Sequence, residues 1–311
     1  MHKPLDLSVI IPARNVAGYL PACIGSIASD PALEIIVVDD GSTDETPEVL
    51  ADLAAREPRL RVLPGAGRGP SAARNLALAV ARAPLVAFLD ADDTWRPGKL
   101  AVQLALHRAF PDLGFSFTDY RHVTPEGEDR GTCFQYWPGF AARHAKARGG
   151  FLLGADALAQ LYAENVVGTS TVVAQTRLLR HCGGFGELLV SAEDWDLWLR
   201  LAAEAPVGCL KLVGTDYLMH RPGNLSHKAA ERASALRSVA EWHRAAAGAL
   251  DPAALRRCEA RLLAAEAEAA MAAGQPWSAV AKQCGAALHQ PGRRAVRHAA
   301  ALLLQALRPA A

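Results

Sequence analysis

The six cysteines of this 311-residue chain (Cys23, Cys133, Cys182, Cys209, Cys258 and Cys284) include no CxxC pair. Their spacing therefore supports neither a zinc site nor a disulfide framework, and scattered thiols fit a reducing compartment. Net charge is equally scarce. The 33 Lys and Arg residues against 32 Asp and Glu leave +1, a balance that gives no field to draw a nucleic acid, so no such partner is expected. No apolar run approaches the length of a bilayer. The opening residues lead straight into a strand, without the basic, apolar and small segments of a signal peptide. The expectation is a soluble, cytoplasmic protein. No GxGxxG follows the first apolar stretch, and GxxxxGK followed by Ser or Thr occurs nowhere, which disfavours a dinucleotide fold or a P-loop.

What the chain does hold is a set of short apolar runs that end on carboxylates. Leu85 to Asp93 reads LVAFLDADD, and such a run is a strand buried on both faces, as in a parallel sheet covered by helices. The acids at its end, Asp90, Asp92 and Asp93, then fall at the crevice where open α/β sheets bind ligands. Carboxylates this dense repel one another unless a cation or hydrogen-bond donors lie between them. An oxygen-only set suits Mg²⁺ or Mn²⁺, which takes one or two protein carboxylates and further oxygens from a bound diphosphate. The alternative for a lone DADD is a solvated acidic turn. Leu7 to Pro12 (LSVIIP) and Ile35 to Asp40 (IIVVDD) repeat the strand theme, and Ala13, Arg14 and Asn15 turn into a helix carrying Leu20, Ile24 and Ile27. Ser42 and Glu45 have the spacing of a helix capping box. Leu60 to Leu63 is a weaker strand. A glycine loop then opens a helix with Arg74 and Asn75 in its first turn, where backbone N–H groups and the dipole favour anions. Arg74 is either a phosphate or base contact or an ordinary surface arginine. Strands alternating with helices predict an α/β fold, a Rossmann-like, mostly parallel central sheet flanked by helices.

Four blocks, VIIPARN, VVDDGSTDE, GPSAARN and FLDADD, follow one another in the first third of the chain. In this order and spacing they resemble the family 2 glycosyltransferases of the GT-A fold. The resemblance implies a nucleotide-sugar donor held by the N-terminal half. By that resemblance Pro12, Ala13 and Asn15, with Asp39 and Asp40, grip the nucleoside, and Arg74 lies over the base or ribose. Asp90-x-Asp92 matches the DxD motif that carries metal and diphosphate. Asp92 is expected to ligate the Mg²⁺ or Mn²⁺ directly and Asp90 to bind the ribose or a metal-bound water, with Asp93 open to either task.

Further along, Trp95 to Leu106 is expected as helix after Pro97, and Gly114 to Tyr120 and Val166 to Ala174 as strands. Pro125 to Gly150 reads as a long irregular stretch, whose Phe134, Tyr136, Trp137 and Phe140 suit either sugar rings or a hydrophobic plug. GGFGE and AEDWDLWLRL again resemble the family. Glu193 and Asp194 open a helix with Leu197, Trp198 and Leu201 at core spacing, although the helix dipole alone also favours acids there. The family's general base falls on Asp194, because an acceptor hydroxyl must lose a proton as it attacks the anomeric carbon. Glu193 and Trp195 fall on the acceptor side. In YLMHRPGNLS, Arg221 and Ser226 carry over to the diphosphate end, and His220 stands where many relatives have a second arginine, either supplementing the metal or phosphate site or packing behind it.

From His227 the composition shifts to Ala, Arg, Glu and Leu at helical period. Asp251-Pro252, Gly274-Gln275-Pro276 and Gln290-Pro291-Gly292 cut this stretch into four helices. In the last, Arg293, Arg294, Arg297 and His298 precede Leu302, Leu303, Leu304 and Leu307. It reads either as a helix packed on its neighbours, the preferred reading, or as a basic amphipathic helix lying peripherally on the anionic inner face of a membrane. The expected organisation is a GT-A domain over residues 1–226, with a nucleotide-sugar half 1–110 and an acceptor half 111–226, followed by a helical region 227–311. The activity implied by the resemblance is inverting transfer from a nucleotide-diphosphate sugar to a sugar or glycolipid hydroxyl, in polysaccharide or glycoconjugate synthesis. Two alternatives stand beside it. A sugar nucleotidyltransferase would need a glycine- and basic-rich loop where this chain has ARNVAG, and a non-catalytic nucleotide-sugar-binding subunit would have no need of Asp194. The absence of spans and of a QxxRW run disfavours a processive membrane polymerase.

Overall fold

The computed structural model describes residues 6–27, 33–219 and 229–307, without the side chains of residues 293 and 294. His220, Arg221 and Ser226 lie outside the described residues. β1 (Leu7–Ala13) is buried at every position except Pro12, the pattern of a strand covered on both faces. Asn15 then takes a left-handed backbone (φ 52°), which Asn tolerates better than most residues carrying a Cβ, and the chain turns into α1 (Leu20–Gly25). β2 (Leu33–Asp39), α2 (Thr46–Arg56), β3 (Leu60–Pro64), α3 (Pro70–Val80) and β4 (Leu85–Phe88) continue the alternation. All four strands run parallel, in the order β3-β2-β1-β4. The winding therefore reverses between β1 and β4, and the carboxyl ends of those two strands form the switch point. The β1–β4 ladder stops at Ile10 opposite Phe88, whereas β1–β2 runs on to Ala13 opposite Asp39. Pro12 falls beyond the β4 ladder, where a missing N–H breaks no bond to that strand.

The remainder of the sheet is mixed. β5 (Thr94–Trp95) precedes α4 (Lys99–Ala109), the helix expected after Pro97, which begins behind Gly98 in a left-handed conformation (φ 86°). Next come β6 (Phe115–Val123), β7 (Asp129–Thr132), α5 (Cys133–Tyr136), α6 (Pro138–Arg143), β8 (Gly150–Leu152) and α7 (Ala157–Ala163). β9 (Val173–Gln175), α8 (Thr176–His181), α9 (Glu193–Glu204) and β10 (Val207–Leu218) complete the sheet. β9 is antiparallel to both β4 and β6, while β6 and β10 pair in parallel. Parallel pairing is thus confined to β1–β4 and to β6 with β10. The strand expected from Val166 is shorter than its apolar pattern suggests, because Thr169–Thr171 coil into a single 3-10 turn. The segment from Pro125 to Gly150 is likewise less irregular than its composition implies. Phe134 and Phe140 are buried beside Phe117, with centroids 6.2 and 6.1 Å away, and form the hydrophobic plug. Nor does the capping box form. Asp44 Oδ1 accepts from Thr46 N–H (3.0 Å) at the head of α2, and Ser42 Oγ instead accepts from Asn15 N–H (3.0 Å).

α4 also brings His107 into the interior, its Nε2 3.1 Å from Ser116 Oγ and 3.2 Å from Val173 O. Burial pushes its pKa down to about 4, against a smaller upward pull from the Val173 carbonyl. The unfolded imidazole, near pH 6.5, takes up a proton that the folded one refuses until about pH 4. Its contribution is therefore complete above that unfolded value and is lost as the pH falls through the folded one, on the order of 3 kcal/mol. Urea midpoints followed from pH 7 to 4 should show this decline, and His107→Gln should flatten it.

The chain divides into two compact units. One gathers Met1–Gly154, Val166–Leu188 and Asp196–Arg221; the other gathers Ala155–Asn165, Leu189–Trp195 and Pro222–Ala311. This is not the single cut after residue 226 expected above. The second unit holds α10 (Ala229–Leu250), α11 (Pro252–Ala272), α12 (Pro276–His289) and α13 (Arg293–Ala306), broken where the proline signals fall. Asp251 caps α11 by accepting from Ala253 N–H (2.9 Å). Inside this unit Tyr162 donates to Ala240 O (3.0 Å), and Arg237 bridges Glu259 and Glu266. Among the described residues no helix is long and apolar enough to cross a membrane.

Candidate active site

Leu89 N–H donates to Ile10 O (3.0 Å) just past the last β4 pair, and the chain then reverses at Asp90–Asp93, closed by Asp93 N–H to Asp90 O (3.0 Å). The three carboxylates leave this turn into different surroundings. Asp93 is buried: its Oδ2 accepts from Ser170 Oγ at 2.5 Å and its Oδ1 from Leu218 N–H at 3.1 Å. Burial first, then the charges of Asp92 and Asp90, push its carboxyl well above the usual range. Asp90 is 28% exposed and accepts from Arg74 Nη2 at 2.7 Å. Asp92 is half-buried. The Cys23 thiol is also pushed up, by burial and then by Asp93, Asp92 and Asp90, so the negative field of all three acids reaches one place.

Ser170 is the hub of this turn, and no motif announced it. Its Oγ accepts from Asp90 N–H (3.0 Å) while donating to Asp93, and its carbonyl accepts from the Trp95 indole (2.7 Å) and the Thr215 hydroxyl (3.1 Å). Ser170→Ala strands the Asp93 carboxyl oxygen and the Asp90 N–H. The expected loss is about 1–3 kcal/mol in chemical denaturation, and an unchanged midpoint would remove Ser170 from the account.

Arg74 is not a surface residue. α3 turns it inward, where it is buried, its guanidinium lying 5.0 Å from the Phe185 ring centroid and paired with Asp90. Asp40 is buried too. Its Oδ1 accepts from Arg68 N–H (3.2 Å) and its Oδ2 from Gly69 N–H (2.7 Å), while its own N–H donates to Ala13 O (2.8 Å). Gly65 is needed beside it, since a Cβ there would come 2.7 Å from Asp40 Oδ1. Asp40 thus holds the glycine loop against β1 instead of facing a nucleoside, and Ala13, buried, supplies only its backbone. Asp39 remains half-buried, accepting from Ser42 N–H (3.1 Å), and Pro12 is likewise partly exposed. Asn15 is exposed and its Oδ1 accepts from Thr43 N–H (2.8 Å), so the loops after β1 and β2 are tied together.

The GGFGE segment closes on α3. Asn75 donates to Phe185 O (2.9 Å) and Glu187 Oε1 (3.0 Å), and Arg68 pairs with Glu187 (2.6 Å). Gly184 has φ 68°, and any Cβ on it would collide with Asn75. The sequence contained these residues as a family block but showed no partner for them.

Glu193, Asp194 and Trp195 belong to the helical unit. Asp194 is half-buried at the start of α9, its Oδ1 accepting from Trp195 N–H (2.7 Å). Just before it, Ala192 holds φ 61°, a left-handed conformation that costs an alanine about 1–2 kcal/mol and that clusters at functional positions. Trp195 is fully buried: its indole donates to Leu161 O (2.9 Å) and the Arg261 guanidinium covers the ring at 3.9 Å. Its ring is enclosed, so it packs behind the start of α9 and offers no open face. Asp196 is spent on Arg200 one turn on (2.7 Å).

The donor set at the turn, three carboxylates with one guanidinium against Asp90, is all oxygen, as a hard divalent cation requires. Asp93 has both oxygens engaged by the protein, and Asp90 pairs with Arg74. Among the described residues no group of three or more His, Cys, Asp and Glu side chains is placed to hold a metal ion.

A sequence model described as Glycosyl transferase family 2 matches residues 8–150. The matched segment contains β1 to β4, the DADD turn, Arg74 and Asp40; Ser170, Asp194 and Arg261 lie beyond it. The chain is similar to the succinoglycan biosynthesis protein ExoU of Rhizobium meliloti (strain 1021), 40% identical over 104 residues, which are 33% of this chain and 30% of that relative. The chain thus spans under a third of this relative's length. In fold it is similar to S. aureus TarS 1-349, solved in complex with UDP-GlcNAc, at a TM-score of 0.62 and 18% identity, covering 98% of this chain and 93% of that one. It is also similar to the mannosyltransferase PcManGT from Pyrobaculum calidifontis, solved with GDP-Man and Mn²⁺, at 0.61 and 21% identity, covering 99% of this chain and 82% of that one. The mixed α/β sheet with flanking helices is the GT-A arrangement.

Proposed function

We propose that the chain is an inverting, metal-assisted glycosyltransferase that moves a sugar from a nucleotide-diphosphate sugar to a hydroxyl of a sugar or glycolipid acceptor, in polysaccharide or glycoconjugate synthesis. The observation that carries this reading is the divergence of the three acids at the β1/β4 switch point. Asp93 accepts from Ser170 and Leu218, Asp90 pairs with Arg74, and Asp92, half-buried on the same turn, is the acid to which we assign the cation. Mg²⁺ or Mn²⁺ held by Asp92 would neutralise the charge that develops on a leaving diphosphate. Asp39 and Asn15, on the tied loops, take the nucleoside end. Arg74 fixes the Asp90 carboxylate toward the ribose. Asp194 takes the proton of the acceptor hydroxyl as its oxygen attacks the anomeric carbon, with Glu193 beside it on the acceptor side. Arg221, Ser226 and His220 are assigned to the diphosphate end on the family resemblance alone. Two proteins of similar fold were solved with ligands of this class, TarS with UDP-GlcNAc and PcManGT with GDP-Man and Mn²⁺.

The experiment is a thermal-shift panel of nucleotide sugars with and without Mn²⁺. One donor should raise the melting temperature, and more so with the metal, because a ligand that binds only the folded state stabilises it by mass action. No shift with any nucleotide sugar would overturn the proposal. The helical unit has a part in it as well, through Arg261. With its cover removed from Trp195, an Arg261→Ala variant should lose about 2 kcal/mol of stability and turn over more slowly with an unchanged KM for donor. Arg261→Lys should restore part of both.

A further inference from the structure

The two last helices are built with their large apolar side chains facing out. On α12 the exposed residues Trp277, Ala281, Cys284 and Leu288 follow one another at three- and four-residue steps, a single stripe along the helix. Trp277 is 58% and Leu288 85% exposed. On α13 the exposed stripe is Val296, Ala300, Leu303 and Leu307, with Leu304 beside it at 65%. The inward faces are the modest ones. Ala279, Gln283 and Ala286 are buried on α12, and Leu302 of α13 packs with Ala267, Ala270 and Ala279. This reverses the usual distribution of an amphipathic helix on a globular protein. The packing reading preferred from the sequence is satisfied by small residues and Leu302, and it leaves Leu288, Leu303, Leu304 and Leu307 exposed.

Charge identifies what covers them. From residue 269 to the last residue there is no Asp or Glu, while Lys282, Arg293, Arg294, Arg297 and Arg308 all fall in that stretch. Lys282 is paired with Glu266 (2.6 Å), and Arg297 is exposed. Arg293, Arg294 and Arg297 take three of the first five positions of α13, which has no acid in its first turn. Cations there oppose the helix dipole, so this arrangement is locally unfavourable and calls for an external anion. An exposed tryptophan, exposed leucines and arginines close together in a stretch without acids are the requirements of a helix lying in an anionic lipid interface. We infer that the α12–α13 hairpin is a membrane-surface contact, the occupant of its apolar face being a bilayer rich in anionic phospholipid.

The test is co-sedimentation of the full chain with phosphatidylcholine vesicles with and without phosphatidylglycerol, together with light scattering of the protein alone. Binding is expected only with phosphatidylglycerol and should weaken as salt is raised. Arg297→Ala should weaken it about fivefold, the share of one basic residue near such a surface. Leu304→Asp with Leu307→Asp should abolish it. Because these side chains are exposed, the variants should keep the wild-type melting temperature, which separates lost contact from lost folding. No binding to the anionic vesicles would overturn the inference. So would equal binding to both kinds, since charge would then play no part. Self-association of the wild type, abolished in the double variant, would instead make this face an interface between copies.

Discussion

An Asp194→Asn variant is expected to transfer sugar about 10²–10⁴-fold more slowly than the wild type, the usual share of a positioned general base, while binding the donor with little change. The amide keeps the size of the carboxylate and can still accept from Trp195 N–H at the start of α9, so the helix should be undisturbed. What is lost is a group able to take a proton. Titration of donor binding alongside initial rates separates the two effects. A parallel loss of donor affinity would place Asp194 on the donor and leave the base unassigned. The left-handed Ala192 just ahead of it is strain of the kind retained where a side chain must be aimed.

Asp92→Ala should act on the other half of the reaction. Donor affinity measured by calorimetry is expected to fall by about two orders of magnitude, since even the outer partners of a metal ligand are worth about 10–100-fold. The dependence of that affinity on added Mn²⁺ should disappear. The neighbouring acids should behave otherwise. Asp93 is engaged on both oxygens within the protein, so its removal should be felt first as lost stability. Removing Asp90 leaves a buried arginine without its partner. Donor binding by Asp92→Ala that still responded to Mn²⁺ would move the ion to one of those two.

The elements best read from sequence are those whose signal is local. β1, β2 and β4 announce themselves as apolar runs buried on both faces, α9 by the spacing of Leu197, Trp198 and Leu201, and the tail helices by the prolines that separate them. The acids at the strand ends were legible for the same reason. What each acid does was not, because that depends on partners distant in the chain. Ser170 reaches Asp93 across 77 residues, and Arg74 finds Asp90 only once α3 has packed on the sheet. Asp40 looks like Asp39 in sequence; only the fold brings Arg68 and Gly69 N–H onto its carboxylate. The capping box failed because the Ser42 hydroxyl has a better use in tying two loops, and the cover of Trp195 was not legible because it comes from Arg261, 66 positions further on. The orientation of α12 and α13 was hidden in another way: both faces of α13 are apolar, and the pattern cannot say whether alanines or leucines turn inward.

The central claim is that Asp92 carries a divalent cation onto the diphosphate of an activated sugar. It is tested most directly by a crystal grown with a bound nucleotide sugar and Mn²⁺, with anomalous data collected at the manganese edge. The account predicts one peak bonded to an Asp92 carboxylate oxygen and to the diphosphate, with Asp93 still accepting from Ser170. A bound donor with its diphosphate away from the Asp90–Asp93 turn, or a manganese peak that Asp92 does not touch, would contradict it.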